Sequence, residues 1–199
     1  MTDRPPVLLF DVMDTLVWDP YRLIPGFFGH DDWRTLYEAR DRTAWVEFEH
    51  GTIDERAFLD RFFADGRAFD RDGLRALMFE NYRWIDGMEE LLGELADAGV
   101  PMHALSNYPD WWRAIEERLG LSRFLEWTFV SCRTGVRKPH PDAYLGPART
   151  LDRPPGELIF VDDRLKNVDA ARAAGLHGVV FECANTLRQE LRVLGVPLA

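Results

Sequence analysis

Cysteine, long apolar runs and clusters of positive charge are all scarce in this sequence of 199 residues. The two cysteines, Cys132 and Cys183, show no CxxC spacing and the five histidines are scattered, which excludes a zinc site and a disulfide framework. No stretch approaches about 18 consecutive apolar residues, the length of a membrane-spanning helix. We therefore expect two reduced cysteines and no membrane partner.

Positive charge is also in short supply, since the formal net charge is −10 and lysine and arginine form no consecutive block. An acidic surface of this kind argues against binding to nucleic acid or to an anionic membrane. The opening "MTDRPP" lacks the charged-then-apolar pattern of a secretory signal. We expect a cytoplasmic protein that acts on a small molecule, and nothing in the composition specifies its oligomeric state.

What the sequence does contain is a series of short apolar runs separated by helical patterns. Asp86 with Glu89 predicts a capping box, and Gly99 predicts the end of the helix that follows it. Alternation of strands and helices predicts an α/β fold, a Rossmann-like parallel sheet flanked by helices. The runs typical of buried strands are Val7–Phe10, Pro101–Leu105, Thr128–Val130, Leu158–Val161 and Gly178–Phe181.

Residues 18–84 differ from the rest of the chain, because they hold many aromatic and charged residues and no strand-like run. Gly51 followed by "TIDE" predicts the end of one helix and the capped start of the next. We therefore predict a small helical cap over residues 18–84, inserted after the first strand. Residues 1–17 and 85–199 are predicted to form the Rossmann-like catalytic core.

Polar residues at the strand ends are the candidates for function, since ligands of parallel sheets bind beyond the carboxyl ends of the strands. Three carboxylates at one sheet edge repel one another by about 4 kcal/mol per close pair at an effective dielectric near 20. One lysine balances only one of them, so a hard divalent cation, Mg²⁺, is expected there. The candidates are Asp11, Thr15, Ser106, Asn107, Lys138, Asp162, Asp163 and Asn167.

A metal, a lysine and a hydroxyl group around one free carboxylate favour phosphoryl transfer, where catalysis is mostly positioning and charge neutralisation. In this arrangement Asp11 attacks phosphorus and forms an aspartyl-phosphate, which water then hydrolyses. The backbone N–H groups of residues 12–15 and the Ser106 hydroxyl hold phosphate oxygens, and Lys138 offsets the remaining charge.

Four segments resemble, in order and content, the motifs of the haloacid dehalogenase-like hydrolase superfamily: "FDVMDTL", "LSN", "RKPHPDAY" and "FVDDRLKNVDAARAAG". The resemblance spans residues 7–181 and is greatest to the branch that contains sugar-1-phosphate phosphatases and the N-terminal domain of soluble epoxide hydrolase. The segment between the first two motifs matches the helical cap of that family. The resemblance therefore implies a capped phosphatase that uses Mg²⁺ and hydrolyses a small phosphate ester.

The same resemblance implies a role for individual residues. Asp11 corresponds to the nucleophile, Ser106 to the phosphate-binding hydroxyl and Lys138 to the charge-neutralising lysine. Asp162 and Asp163 correspond to the metal-binding acidic pair.

The segment "FDVMDTL" departs from the family pattern, in which a second aspartate two residues after the nucleophile serves as general acid and base. Met13 stands at that position and can supply only the backbone carbonyl expected to contact the metal. Asp14 follows where the family commonly has glycine, and we interpret it as a turn carboxylate that bonds nearby backbone N–H groups. Loss of the acid costs about 10²- to 10⁴-fold, so we expect a preference for good leaving groups such as anomeric sugar phosphates.

Two alternatives remain open at this stage. A metal-independent 2-haloacid dehalogenase fits Met13 but not the acidic pair Asp162 and Asp163, which would only repel a nucleophilic anion. A catalytically weak or inactive binding protein of the same fold is supported by Met13 alone.

Contacts to the substrate beyond its phosphate are expected near the motifs. Trp18 and Tyr108 are the aromatic residues closest to them and are predicted to touch the organic part of the substrate. Thr15 and Asn107 are predicted to bind substrate, and Asn167 is predicted to support the acidic pair.

Overall fold

The computed structural model describes residues 4–198, and five parallel strands form one sheet within them. The strand order is β3-β2-β1-β4-β5, so β1 is central and the chain proceeds to both sides of it. The predicted α/β fold with a Rossmann-like parallel sheet is confirmed. The strands are β1 (Val7–Phe10), β2 (Met102–Ser106), β3 (Glu126–Val130), β4 (Leu158–Asp162) and β5 (His177–Val180).

Helices occupy most of the remaining described chain, and none of those in residues 4–198 has the length and apolar character needed to cross a bilayer. Single 3₁₀ turns lie at Pro20–Leu23, Leu121–Arg123 and Pro155–Glu157. The α-helices are α1 (Ile24–Phe27), α2 (Trp33–Ala39), α3 (Ala44–Glu49), α4 (Glu55–Asp60), α5 (Arg71–Glu80), α6 (Met88–Asp97), α7 (Trp112–Leu119), α8 (Ser131–Thr134), α9 (Asp142–Thr150), α10 (Leu165–Ala173) and α11 (Ala184–Val193).

The side chains of β1 alternate between two apolar layers. Leu8 and Phe10 belong to one layer, which includes residues of α6 and α11. Val7 and Leu9 belong to the other, which includes residues of α9 and α10. Since alternate residues of a strand point to opposite faces, helices cover both faces of the sheet, and this explains why its strands are continuously apolar.

Three local predictions need correction. Ser106 pairs with Val130, and Asp162 pairs with Val180, so both are the last residues of strands rather than the first residues of loops. The expected capping box of α6 is absent, because Gly87 occupies the N-cap position at φ 78° and has no side chain to accept the orphan N–H groups.

The chain between β1 and α6 holds α1 to α5 and no strand among residues 11–87. Asp54 caps α4 by accepting a hydrogen bond from the Ala57 N–H, as "TIDE" predicted. Apolar side chains of this segment, among them Phe48 and Phe58, belong to the same buried cluster as Phe10 of β1. The division into a core and a cap over residues 18–84 stays a prediction, and residues 1–3 and 199 of that core lie outside the described residues.

Candidate active site

The carboxyl ends of β1 and β4 lie side by side and bring three carboxylates together. Phe10 is in register with Val161, and the Asp11 N–H donates to the Val161 carbonyl at 2.8 Å. One carboxylate oxygen from each of Asp11, Asp162 and Asp163 lies within 4.8 Å of the others. This edge, where the chain departs from β1 in both directions, is the expected ligand site of an open parallel sheet.

Lys138 lies between two of these carboxylates. Its Nζ is 2.9 Å from Asp11 Oδ1 and 2.7 Å from Asp162 Oδ2, and the residue is 4% exposed. Burial by itself would lower the pKa of the ammonium, but the two carboxylates outweigh burial and raise the pKa. Lys138 therefore stays charged and neutralises one of the three negative charges.

The two aspartates at the end of β4 have different surroundings. Both oxygens of Asp162 accept hydrogen bonds from the Asn167 side-chain amide at 3.0 Å, and Oδ1 also accepts from the Arg164 N–H at 2.8 Å. With Lys138 on Oδ2 and no exposed surface, Asp162 is saturated by protein donors. Asp163 is half-buried and lines a cavity, and burial together with Asp162 raises its pKa.

Asp11 presents one engaged and one free oxygen. Oδ1 accepts from Lys138 and from the Val12 N–H at 2.7 Å, whereas no donor among the described residues reaches Oδ2. Burial raises the pKa of Asp11, Lys138 opposes that rise, and the other two carboxylates add to it. A further cation at this position would favour the ionised form, which is the nucleophilic one.

The second motif has one unpartnered hydroxyl group and one engaged amide. Ser106 Oγ is buried and has no hydrogen-bond partner among the described residues, so its role in phosphate binding stays a prediction. The Asn107 amide donates to the Lys138 carbonyl at 2.9 Å and accepts from the Lys138 N–H at 2.8 Å. In this arrangement Asn107 fixes the loop that carries the lysine.

Some of the backbone N–H groups expected to hold phosphate, in the loop after β1, donate to acceptors within the protein. The Val12 N–H donates to Asp11, and the Asp14 N–H donates to the Val17 carbonyl at 2.7 Å. The N–H groups of Met13 and Thr15 are left without an acceptor among the described residues. Two of the four N–H groups thus have acceptors within the protein, and the expectation that residues 12–15 hold phosphate stays a prediction.

The Asp14 side chain contacts the Asp19 backbone and the Arg22 side chain. The residue has a left-handed backbone with φ 56°, which aspartate tolerates better than most residues. Its Oδ1 accepts from the Asp19 N–H at 3.2 Å and from the Arg22 guanidinium at 2.5 Å. These contacts are those of a turn carboxylate, as we interpreted it from the sequence.

A cavity of about 280 Å³ opens above Asp11. A larger groove of about 670 Å³ lies elsewhere, and none of the predicted site residues lines it, so its size does not make it the site of chemistry. The smaller cavity is lined by Asp11, Met13, Asp14, Asp19, Tyr21, Trp45, Glu49, Asn107, Tyr108, Arg137, Lys138, Asp163, Arg164 and Asn167.

Of three further predicted residues, Thr15 and Trp18 do not line this cavity and Tyr108 does. Thr15 is fully buried, and its hydroxyl accepts from the Asp163 N–H at 3.2 Å, which joins the loops after β1 and β4. Trp18 does not line the cavity and lies between the guanidinium groups of Arg22 and Arg83, whose Cζ atoms are 4.9 and 3.8 Å from its ring centre. Tyr108 does line the cavity, and its hydroxyl shares a hydrogen bond of 2.8 Å with Tyr82.

Sequence reasoning missed six residues of the cavity wall: Asp19, Tyr21, Trp45, Glu49, Arg137 and Arg164. Glu49 of α3 accepts from Trp45 Nε1 at 2.6 Å and pairs with Arg137. Arg137 precedes Lys138 and Arg164 follows Asp163, so both could have been noted from that adjacency. The other four belong to the helical segment, where nothing in the spacing distinguishes a wall residue from a packing residue.

Comparison with known proteins places this geometry in a family. The model of the haloacid dehalogenase-like hydrolases matches residues 6–175. Flavin mononucleotide hydrolase 1 of Arabidopsis thaliana, a chloroplastic protein, is 46% identical over 192 residues, which cover 96% of this chain and 78% of the relative. A sesquiterpene phosphatase of Aspergillus oryzae is 35% identical over 109 residues, which cover 54% of this chain and 55% of the relative.

Among solved structures, a haloacid dehalogenase family enzyme of Bacteroides thetaiotaomicron, in complex with magnesium and inorganic phosphate, matches with a TM-score of 0.75. It is 18% identical, and the match covers 90% of this chain and 95% of that one, so it shows the shared fold. The order of strands, the four motifs and the match over most of the chain agree. This chain belongs to the haloacid dehalogenase-like hydrolase family.

Proposed function

We propose that the chain is a Mg²⁺-dependent phosphatase that hydrolyses a small phosphomonoester through an aspartyl-phosphate. The observation that carries the proposal is Asp11, which lines the cavity and whose Oδ1 is held by Lys138 and Val12, while no donor among the described residues reaches Oδ2. A carboxylate held in this way keeps one oxygen free to attack, and its orientation is fixed by the contacts of the other oxygen. Its relatives with assigned activities include phosphatases, which supports the same reaction class.

The donor set fits Mg²⁺. Two carboxylates in excess of the lysine charge lie within a few ångströms, and magnesium prefers such oxygen ligands. Since protein donors saturate Asp162, we assign the metal contacts to Asp11, Asp163 and the Met13 carbonyl, and give Asp162 the task of holding Lys138. A bound Mg²⁺ supplies charge neutralisation for the phosphoryl oxygens.

The residues of the chain then divide the reaction among them. Asp11 Oδ2 attacks phosphorus, the bond to the leaving oxygen breaks, and the acyl phosphate that forms is hydrolysed by water. Lys138 offsets the phosphate charge from the Oδ1 side of Asp11. The Ser106 hydroxyl and the N–H groups of Met13 and Thr15 are the donors available to phosphate oxygens.

For the substrate we propose flavin mononucleotide, on the strength of the Arabidopsis relative and its 46% identity over most of both chains. Tyr21 and Trp45 line the cavity and offer aromatic surface to a flat ring system. The phosphate of this substrate is an ester of a primary alcohol, which is a poor leaving group. The proposed substrate therefore replaces the expected sugar phosphate. It also requires a proton donor for the leaving oxygen, which the Met13 side chain cannot supply.

The segment of residues 18–84 is proposed to act as a cap, because Tyr21, Trp45 and Glu49 line the same cavity as Asp11. The dehalogenase alternative is less favoured, since a metal-free attack by Asp11 gains nothing from Asp163 beside it. The inactive alternative still has only Met13 in its support. A cytoplasmic location stays a prediction, because the Arabidopsis relative is chloroplastic.

Phosphate release from flavin mononucleotide and from p-nitrophenyl phosphate tests the proposal, with magnesium and then with EDTA. We expect release that requires magnesium and that Asp11→Asn reduces by at least about 10³-fold, because an amide cannot form the covalent intermediate. Chloride release from 2-chloropropionate serves as the parallel assay. Metal-independent chloride release, or full activity of Asp11→Asn, would contradict the proposal.

A further inference from the structure

An alkyl phosphate cannot be cleaved fast without a proton donor for the departing oxygen. General acid catalysis supplies about 10²- to 10⁴-fold in such reactions, and the usual position of the acid is occupied by Met13, whose side chain carries no proton to give. The cavity above Asp11 holds four other carboxyl groups, those of Asp14, Asp19, Glu49 and Asp163. Each of the four is therefore a candidate proton donor if the chain hydrolyses an alkyl phosphate.

Contacts exclude three of the four. Asp14 is engaged in an ion pair with the Arg22 guanidinium at 2.5 Å. Glu49 is paired with Arg137 and accepts from Trp45 Nε1, so both of its oxygens are engaged. Asp163 belongs to the carboxylate group assigned above to the metal.

Asp19 differs from Asp14 and Glu49 in having no ion pair among the described residues, and from Asp163 in lying outside the carboxylate group assigned to the metal. Oδ1 accepts from the Tyr21 N–H at 2.9 Å, which caps the 3₁₀ turn Pro20–Leu23. No hydrogen bond from the described residues reaches Oδ2, and the carboxylate is in no ion pair among them. The backbone is fixed as well, because the Asp19 N–H donates to Asp14 Oδ1 and the Asp19 carbonyl accepts from Arg22 Nε at 3.1 Å.

We infer that Asp19 is the general acid and base of this active site and takes the place of the aspartate that Met13 replaces. The inference rests on the proposed phosphatase function. As Asp11 Oδ2 bonds to phosphorus, the bond from phosphorus to the ester oxygen breaks and that oxygen takes the Asp19 proton. In the second half, Asp19 takes a proton from the water that attacks the acyl phosphate, which restores both carboxyl groups and releases phosphate.

The surroundings of Asp19 suit a group that gives and takes a proton. Burial raises its pKa to about 6, the Tyr21 N–H opposes the rise, Asp14 adds to it, and Arg22 and Arg164 oppose it. Three tyrosines, Tyr21, Tyr82 and Tyr108, also face it. A carboxyl group that titrates near the working pH is the kind that general acid catalysis favours.

The test compares kcat/KM for two kinds of ester in the wild type and in Asp19→Asn. The esters are p-nitrophenyl phosphate, whose leaving group departs without a proton, and two alkyl phosphates, flavin mononucleotide and n-butyl phosphate. We expect Asp19→Asn to lower kcat/KM for the alkyl phosphates about 10²- to 10⁴-fold and to leave that for p-nitrophenyl phosphate within about threefold. The kcat of Asp19→Asn for p-nitrophenyl phosphate should fall, because hydrolysis of the acyl phosphate loses its general base. The acyl phosphate then accumulates, and the first turnover should appear as a burst of nitrophenolate.

Asn keeps the oxygen that accepts from the Tyr21 N–H, so the turn should remain, and a thermal unfolding curve checks this. If Asp19→Asn does not fold, Asp19→Ser preserves the cap, and the dependence of wild-type kcat/KM on leaving-group acidity in a phenyl phosphate series gives a second measure. A shallow dependence supports the acid, and a steep one contradicts it.

Asp14→Asn is the matched control, since it alters a neighbouring carboxylate of the same cavity and should change both ester classes by the same factor. An equal loss for both classes in Asp19→Asn would give Asp19 a structural role and overturn the inference, as would no loss for either. A wild type that releases phosphate from no ester would instead refute the proposed function, so the two failures are distinguishable.

Discussion

Lys138 and Lys166 are the only two lysines in the sequence, and they have opposite surroundings. Lys166 is exposed on α10, whereas Lys138 is buried between Asp11 and Asp162. Buried charges of this kind stabilise a protein little by themselves, because desolvation offsets most of their attraction. The Lys138 ammonium instead fixes the orientation of Asp11 by holding Oδ1, and it leaves Oδ2 free for the proposed attack on phosphorus.

The first prediction concerns that ammonium. Lys138→Met should lower phosphate release at least about 10³-fold, because both the orientation of Asp11 and the charge opposite the phosphate are lost. The variant keeps three carboxylates and no cation, so magnesium should raise its midpoint of thermal unfolding more than it raises that of the wild type. Phosphate release and thermal unfolding with magnesium or EDTA measure both effects.

Lys166→Met is the control for this change, since it removes the other lysine from an exposed position of α10. It should leave activity and the unfolding midpoint close to those of the wild type. Lys138→Met with wild-type activity would contradict the proposed role of the lysine.

At the scale of the elements, the helical segment and the sheet are joined behind the cavity. The Ser131 hydroxyl at the start of α8 donates to the Glu49 carbonyl at the end of α3, at 2.5 Å. Gly51 follows in a left-handed conformation with φ 70°, and a β-carbon there would lie 2.3 Å from the Cys132 carbonyl oxygen. A side chain is therefore excluded by both the conformation and the space.

This contact gives a prediction with an internal control. Gly51→Ala should lower the free energy of unfolding by about 3 kcal/mol, the sum of left-handed strain and overpacking against Cys132. Gly66→Ala has nearly the same φ, 69°, and meets nothing within 4 Å, so it should cost only the strain of about 1 kcal/mol. Urea unfolding of both variants measures the difference, and equal losses would show that the contact with α8 has no energetic weight.

At the scale of the whole molecule, the helical segment and the catalytic core share one apolar cluster. Phe58 of α4 packs with Phe48 and Trp111 at ring-centre distances of 5.0 and 5.7 Å, and all three belong to the cluster that contains Phe10 of β1. A shared core makes the two parts unfold together, because neither can lose its packing without exposing the other.

The corresponding prediction is a single unfolding transition. Circular dichroism and tryptophan fluorescence should give the same midpoint of unfolding. Phe58→Ala should shift both midpoints together and lower the free energy of unfolding by about 3 to 5 kcal/mol. Tyr37→Ala, at a ring that is 52% exposed, is the control and should change the free energy of unfolding by about 0.5 kcal/mol or less. Two separate transitions would contradict a shared core.

Much of the fold could be predicted because its signals are local. Val7–Phe10 was predicted with its observed bounds, and the other four strands within two residues, since buried parallel strands are short apolar runs. The errors occur where tertiary pairing adds a residue, as with Ser106 and Asp162, or where glycine displaces a cap, as at Gly87.

The carboxylates at the sheet edge and Lys138 were predictable from the sequence, whereas their contacts and much of the cavity wall were not. The sequence by itself determined that Asp11, Asp162 and Asp163 meet, because parallel topology brings the ends of β1 and β4 to one edge. Only the tertiary structure decided that Asp162 is saturated while Asp11 Oδ2 is free, and that Asp19 lines the cavity and Trp18 does not. The physical reason is that topology follows from local apolar patterns, whereas the direction and partners of a side chain depend on residues distant in the chain.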